Sequence, residues 1–329
     1  MKHTFKIQHL YLYIPDLNYD DFQGAQQFLT KIAHELKLII KQYDLTLKTI
    51  YIANSTKAIS LLFLKRLLSL LAPIVKNINQ YSFETSVNTI NDNMLKLLQT
   101  FSVNRLVWKV TTFQQEPINA TIHNSIKMGF TNFSLDLNYN IPNQTKQQLL
   151  YDLQQCIFLQ APHISFDNAD EYVNLQFKKI INYFLTLHNY HNYEYYSYAK
   201  NSNNYSQYTI GYCLLESYYG LGPDAVSYIE TNKGAQIITN SNDIIYQKTI
   251  TDFDSNQCFI NKLLQGLLLR SGVKLTKKNK KDMVNNQQLI TRLLDNGQII
   301  INNQQLFCTN TGWGLLNELI IDIINNSTV

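Results

Sequence analysis

The chain has 329 residues, 45% of them hydrophobic, which is ample for one large or two ordinary buried cores. Only 16% are charged, against a usual share of about 25%, and Asn, Gln, Ser and Thr supply the polar surface instead. A net charge of +4, spread along the chain, does not by itself imply nucleic acid or an anionic membrane as a partner.

In chain order, the N-terminus "MKHTFKIQHLYLYIP" has no continuous apolar stretch of the secretion type. It contains the first expected strand, "HLYLYI" (9 to 14). The loop that follows, "PDLNYDDFQ" (15 to 23), holds no cysteine, no histidine and no glycine-rich cradle. Next, Phe28, Leu29, Ile32, Ala33, Leu36, Ile39, Ile40 and Tyr43 recur at helical spacing and predict one buried stripe. A second strand, "KTIYIA" (48 to 53), precedes the longest apolar run, "SLLFLKRLLSLLAPIV" (60 to 75). Lys65, Arg66 and Pro73 break that run short of the roughly 18 clean residues of a membrane span.

Further strands are expected at "YSFETS" (81 to 86), "RLVWKVTTF" (105 to 113), "FSLDLNYN" (133 to 140), "HISFDN" (163 to 168) and "YEYYSYA" (193 to 199). Thr145 followed by Gln148 predicts a capping box that starts a helix just after the fifth strand. The alternation implies β-α units around a parallel sheet, a complete or partial (β/α) barrel. Ligands of such barrels bind where strand C-termini meet the following loops, which puts "PDLNYDDFQ" on the active rim.

After "YYGLGPDAVSYIE" (218 to 230) the alternation stops. A helix, "CFINKLLQGLLLRSG", is followed by a loop, "TKKNKKD", and by a second helix, "NQQLITRLLDNG", with Gly297 as its C-cap. A hairpin, "QIIINNQQLFCT", and a helix carrying Leu315, Leu316, Leu319, Ile320 and Ile323 complete the chain. The expectation is an α/β barrel domain over 1–230 and a small α+β, winged-helix-like domain over 231–329. The cysteines at 156, 213, 258 and 308 form no CxxC pair and read as buried thiols, in keeping with a cytoplasmic protein.

These strings, in this order, resemble the HemW heme chaperones and the oxygen-independent coproporphyrinogen oxidases, which are radical SAM proteins. "LYLYIPDLNYDDF" is similar to that family's LYIHIPFCxxxCxYCDF, with Tyr11 at the position of its SAM-contacting tyrosine. "ANSTK" (53 to 57) stands for GGGTP and keeps Thr56; "YSFETSV" stands for FTIEANP and keeps Glu84. "VNRLVWKVTTF" is similar to VNRLSLGVQSF, with Thr111 for the glutamine. "GFTNFSLDLNYNIPNQT" matches closely and sets Asp136 on the family's SAM-site aspartate. "YEYYSYAK", "YYGLGPDAVSY" and "LFCTNTGWGLLNELIIDII" carry the resemblance into the C-terminal domain. It implies a radical SAM barrel, a [4Fe–4S] cluster, S-adenosylmethionine, and a degenerate SAM site of Tyr11, Thr56, Glu84 and Asp136.

The departures from that pattern set the expected function. The three cluster positions read as Leu17, Asp21 and Gly24, no cysteine precedes Cys156, and cluster ligation needs thiolates. The glycine loop has become Ala53, Asn54 and Ser55, and side chains now stand where the backbone should approach the cofactor. The family's HNxxYW heme string is "YTIGYC" (208 to 213). No catalytic residue and no metal ligand is assigned. Expected is a HemW-like, heme-binding or heme-chaperone protein, or a remnant of a radical SAM protein without its cluster. The alternatives are a coproporphyrinogen-oxidase-like radical enzyme and a nucleic-acid-binding module using "KKNKK". Heme and a heme-receiving protein are the candidate partners, with His188 and His191 as candidate heme ligands because neutral imidazole is a common axial one. Each candidate has a plain structural alternative: carboxylates bonded to neighbours, an aromatic helix end, and a solvated basic loop.

Overall fold

A computed structural model describes residues 5–17, 22–54, 58–114, 118–168 and 174–326, without the side chains of 22, 168, 277–280 and 326. Six β-α units run β1 (Lys6–Ile14), α1 (Phe22–Gln42), β2 (Asp44–Asn54), α2 (Leu61–Leu71), β3 (Gln80–Ser86), α3 (Asp92–Thr100), β4 (Arg105–Val110), α4 (Ile118–Lys127), β5 (Phe133–Tyr139), α5 (Lys146–Phe158), β6 (His163–Asn168) and α6 (Leu175–Leu187). Then come β7 (His191–Glu194), β8 (Ser197–Ala199), α7 (Gln207–Cys213), β9 (Tyr218–Leu221), β10 (Val226–Glu230), β11 (Ala235–Asn240) and β12 (Lys248–Phe253). These strands form one sheet in the order β12-β11-β10-β9-β1-β2-β3-β4-β5-β6-β8-β7, parallel from β9 to β6 and antiparallel at both ends. Open at its edges, the sheet is a partial (β/α) barrel.

Helical spacing is realised in α1, where Phe28, Leu29, Ile32, Leu36 and Ile39 are buried against the sheet, whereas Ile40 points outward at 45% exposure. Helix α5 begins with the expected capping box: the Gln148 N–H donates to Thr145 Oγ1 at 3.2 Å, and the Thr145 N–H donates to Gln148 Oε1 at 2.7 Å. Strand β4 stops at Val110 rather than at 113. Asp152 accepts from Thr112 Oγ1 at 3.0 Å and from the Phe113 N–H at 2.8 Å, so the chain's donors leave the ladder for a carboxylate on α5. "YEYYSYA" is a hairpin rather than one strand, because the Glu194 carboxylate accepts the Tyr196 N–H at 3.1 Å and folds the chain at Tyr195–Tyr196.

The remaining elements are α8 (Ser255–Gly266), β13 (Val273–Lys274), α9 (Lys277–Asn285), α10 (Gln287–Asp295), β14 (Ile299–Asn302), β15 (Gln305–Cys308), α11 (Asn310–Gly314) and α12 (Leu316–Asn326). The basic stretch expected as a loop is helix α9. Lysines are good helix formers, and buried Asp282, accepting from Ser255 Oγ at 3.2 Å, fastens it to α8. Asn296 caps α10, one position earlier than the sequence indicates, and Gly297 follows it at φ +64°. Helices, the β14–β15 hairpin and α12 surround a second core of Phe259, Leu263, Leu293, Leu306, Trp313 and Leu319. The β11–β12 hairpin still belongs to the large sheet, so the expected domain limit at 230 falls inside an antiparallel extension and the second core begins with α8.

Helix α7 lies across the base of the barrel, made possible by Gly211. His9 beneath it is fixed at Nδ1 by Thr49 Oγ1 and at Nε2 by Glu216 Oε2, both at 2.8 Å, and Lys48 adds a 2.7 Å ion pair to Glu216. The His9 bond, followed by that of Lys48, pulls the Glu216 carboxyl down to about 2 against the opposing effect of burial. A Cβ at residue 211 would sit 2.2 Å from His9 Nε2, and the doubly held imidazole has nowhere to go. Gly211→Ala is therefore expected to lower stability by about 1–3 kcal/mol, measured by chemical denaturation. An unchanged midpoint would mean that α7 is not packed on His9.

Candidate functional site in the barrel mouth

Side chains alternate along strands, so register decides which of them share the barrel interior. Tyr11 of β1 lies opposite Tyr51 of β2, Glu84 of β3 opposite Ala53, and Lys109, Asp136 and Ser165 form one row across β4, β5 and β6. The sequence-predicted Tyr11, Glu84 and Asp136 are thus brought together at the C-terminal ends of the strands, where (β/α) barrels place their sites. Thr56 and Asp21 lie outside the described residues.

Glu84 is 7% exposed and already partnered. Tyr51 donates its hydroxyl to Oε2 at 2.5 Å, and Lys109 Nζ stands 3.1 Å from Oε1. Burial works against the Lys109 ammonium, but the bond and charge of Glu84, with Asp136 and Asp167 behind it, raise its pKa overall. Burial and the Glu84 charge push the Tyr51 phenol well above its ordinary value, so it remains a donor. Ser165 donates to Asp136 Oδ1 at 2.8 Å. Loss of water and then the charge of Glu84 nevertheless raise Asp136 to about 6.

Three tyrosine rings pack together inside the barrel: Tyr11, Tyr51 and, reaching in from α7 at the base, Tyr208, with centroids 5.0 to 6.1 Å apart. Below them, His163 is held between Ser134 Oγ at 2.7 Å and the Tyr193 hydroxyl at 2.8 Å. Burial, then the nearby Arg105 guanidinium, keeps that imidazole neutral.

The other candidates lie elsewhere. His188 ends α6, donating from Nδ1 to the Phe184 carbonyl at 2.8 Å, with the two rings 4.4 Å apart. His191 opens β7 at the sheet's outer edge. Cys213 is buried at the end of α7, and burial pushes its thiol up. Sequence reading missed Tyr51, Lys109, Ser165 and Tyr208. A single charge inside the apolar run "LVWKV" of a parallel strand was the available signal for Lys109, because such strands are covered on both faces.

A [4Fe–4S] cluster does not fit these residues. Leu17 packs on the main core, Gly24 lies within α1, and all four cysteines are buried in other elements. Among the described residues, no group of three or more His, Cys, Asp or Glu side chains is disposed to hold a metal. S-adenosylmethionine fits poorly as well. Asn54, at the end of β2, fills with a buried and unpartnered amide a position where the resemblance has glycine, and Glu84 faces a cation of the protein's own.

No family model matches the chain. Over 160 residues it is 27% identical to the heme chaperone HemW of Bacillus subtilis, which is 44% of this chain and 42% of that protein. Over 205 residues it is 27% identical to a putative heme chaperone HemW-like protein of Buchnera aphidicola, 52% of this chain and 54% of that one. The chain spans about half the length of the curated relatives it matches. Its fold superposes with a TM-score of 0.77 on the coproporphyrinogen III oxidase HemN of Escherichia coli, a radical SAM enzyme, at 16% identity, covering 99% of this chain and 91% of that one. The barrel thus has the fold of that radical SAM enzyme. In sequence the chain is similar to HemW heme chaperones, at 27–29% identity over 36–52% of its length.

The charge pattern of the mouth has a stability consequence. Asp136 holds a proton up to about pH 6 in the fold but only to about 3.9 when unfolded, so its contribution falls as pH rises through that window. Asp136→Asn keeps an acceptor for Ser165 and removes the charge. It is expected to stabilise the protein by about 1–2 kcal/mol at pH 8, a gain of a few degrees in Tm that disappears near pH 4. Thermal unfolding at both pH values checks this, and a lower Tm at pH 8 would refute it.

Proposed function

We propose that the chain is a HemW-like, non-catalytic protein that has lost the [4Fe–4S] cluster of its family and handles heme instead of generating radicals. The observation that carries this reading is the Lys109 ammonium 3.1 Å from Glu84. The resemblance assigns Glu84 to the site of a sulfonium cofactor, and here a covalently attached cation satisfies that carboxylate. The cysteine-free first rim loop supports the same reading, since a cluster needs thiolate donors and none stands before residue 156. The matched relatives are named heme chaperones, and that is the support for heme as cargo. His188 and His191 are the proposed iron ligands.

Anaerobic reconstitution of the full chain with iron and sulfide should leave the protein colourless. Under reducing conditions it should not convert S-adenosylmethionine to 5′-deoxyadenosine. Heme added to micromolar protein should shift its Soret band, and the shift should weaken in His191→Ala or His188→Ala. A brown protein with cluster stoichiometry that cleaves the cofactor would overturn the non-catalytic reading and leave the radical enzyme as the alternative.

A further inference from the structure

At the seam between barrel and second core lies an open cleft of about 520 Å³, within the size range of small-molecule sites. One wall is α6, which contributes Lys178 and Lys179; another is the β7–β8 hairpin with His191, Tyr195 and Tyr198; the third is Arg270 with Trp313 of α11. The hairpin is sewn to the second core, since the Tyr195 N–H donates to the Leu268 carbonyl at 2.8 Å and the Arg270 N–H to the Tyr193 carbonyl at 2.9 Å. The cleft therefore has walls from both cores that are fixed relative to each other.

Its charge is one-sided. Three cations line it and no Asp or Glu does, although the chain as a whole carries 28 basic and 24 acidic residues. Among the described residues, no carboxylate stands within ion-pair distance of Lys178 or Arg270. Lys178 Nζ donates to the Tyr195 carbonyl and sits 3.2 Å over the Tyr195 ring. Arg270 lies 3.8 Å over the Trp313 ring and donates to Asn310 Oδ1 at 2.7 Å. Burial lowers Lys178 to about 7; the pull of Glu194, whose own carboxylate is turned to the backbone, opposes it, and a smaller repulsion by Arg270 adds to it. Two cations that repel each other, aimed over aromatic faces into a shared cleft, are stabilised by an anion placed between them. Trp313 and Tyr195, edge to face at 5.6 Å, offer the flat apolar part of such a ligand a surface to pack on.

We propose that this cleft binds a planar aromatic carboxylate, its acid groups on Lys178 and Arg270 and its ring system against Trp313 and the hairpin tyrosines. The inference stands on the cleft alone. Joined to the heme reading, it makes a tetrapyrrole with carboxylate side chains the cargo, and His191, which lines the same cleft, is the residue that would hold its iron there.

The test titrates the full chain with three probes: 2,6-naphthalenedicarboxylate, iron-free protoporphyrin and heme, following quenching of tryptophan fluorescence. The second tryptophan, Trp108, is fully buried in the barrel and serves as the internal reference. Expected is saturable binding of the iron-free porphyrin, displaced by the dicarboxylate, and at least tenfold weaker in Lys178→Gln and Arg270→Gln. Lys65→Gln, on the distant groove between α1 and α2, should bind as the unmodified chain does. Should either cleft variant unfold, Arg270→Lys provides the milder change, expected to weaken binding less than Arg270→Gln.

Failure of both iron-free probes to bind, or equal binding by the folded cleft variants, overturns the proposal. If the iron-free probes bind and heme does not, the cleft stands and the heme reading falls. If heme binds with the same affinity after Lys178→Gln and Arg270→Gln, the heme reading stands and the cleft is not its site.

Discussion

The Lys109 ammonium, resting on a Glu84 carboxylate that also accepts the Tyr51 hydroxyl, is the contact on which the barrel mouth depends. Three neighbouring strands each contribute one member, so the contact closes β2, β3 and β4 at the end where a barrel is otherwise open. A carboxylate left alone at 7% exposure would carry a large desolvation cost. A lysine from the adjacent strand removes it permanently. The same cation also faces Asp136, whose pKa nevertheless stays high because water is excluded and Glu84 lies close.

The rest of the interior follows the same economy of self-satisfaction. Helix α7 brings Tyr208 onto Tyr11 and Tyr51, and Gly211 lets the helix backbone settle on His9, so the string that resembles the family's heme motif is spent on plugging the barrel. His163, Ser134 and Tyr193 bond to one another in place of a ligand. Unpaired charge remains at the outer seam, where Lys178 and Arg270 face a cleft without a carboxylate. The cleft proposed as a binding site lies there, between the two cores.

How much of this was legible in the sequence depends on the range of the interactions. The six β-α units were readable because period-3.6 stripes such as Phe28, Ile32, Leu36 and Ile39 and the Thr145–Gln148 box are local. The split of "YEYYSYA" was not, since the turn is set by Glu194 accepting the Tyr196 N–H while the flanking residues all look β-forming. Strand β4 ends early because of Asp152, 42 residues past Val110, and no local pattern carries that information. In the site, Tyr11, Glu84 and Asp136 were found through the resemblance, but Lys109 departs from it and becomes meaningful only when the strand register sets it beside Glu84 and Asp136. The Lys178–Arg270 cleft joins residues 92 apart across two cores, beyond the reach of any spacing argument.

A double-mutant cycle between Glu84 and Lys109 tests the central claim most directly. Unfolding free energies of Glu84→Gln, Lys109→Met and the double variant should give a coupling of about 1 kcal/mol or more, with the double variant less damaged than the sum of the singles. Strictly additive effects would mean that the two charges ignore each other, and that the mouth still holds a carboxylate without a counter-charge of the protein's own.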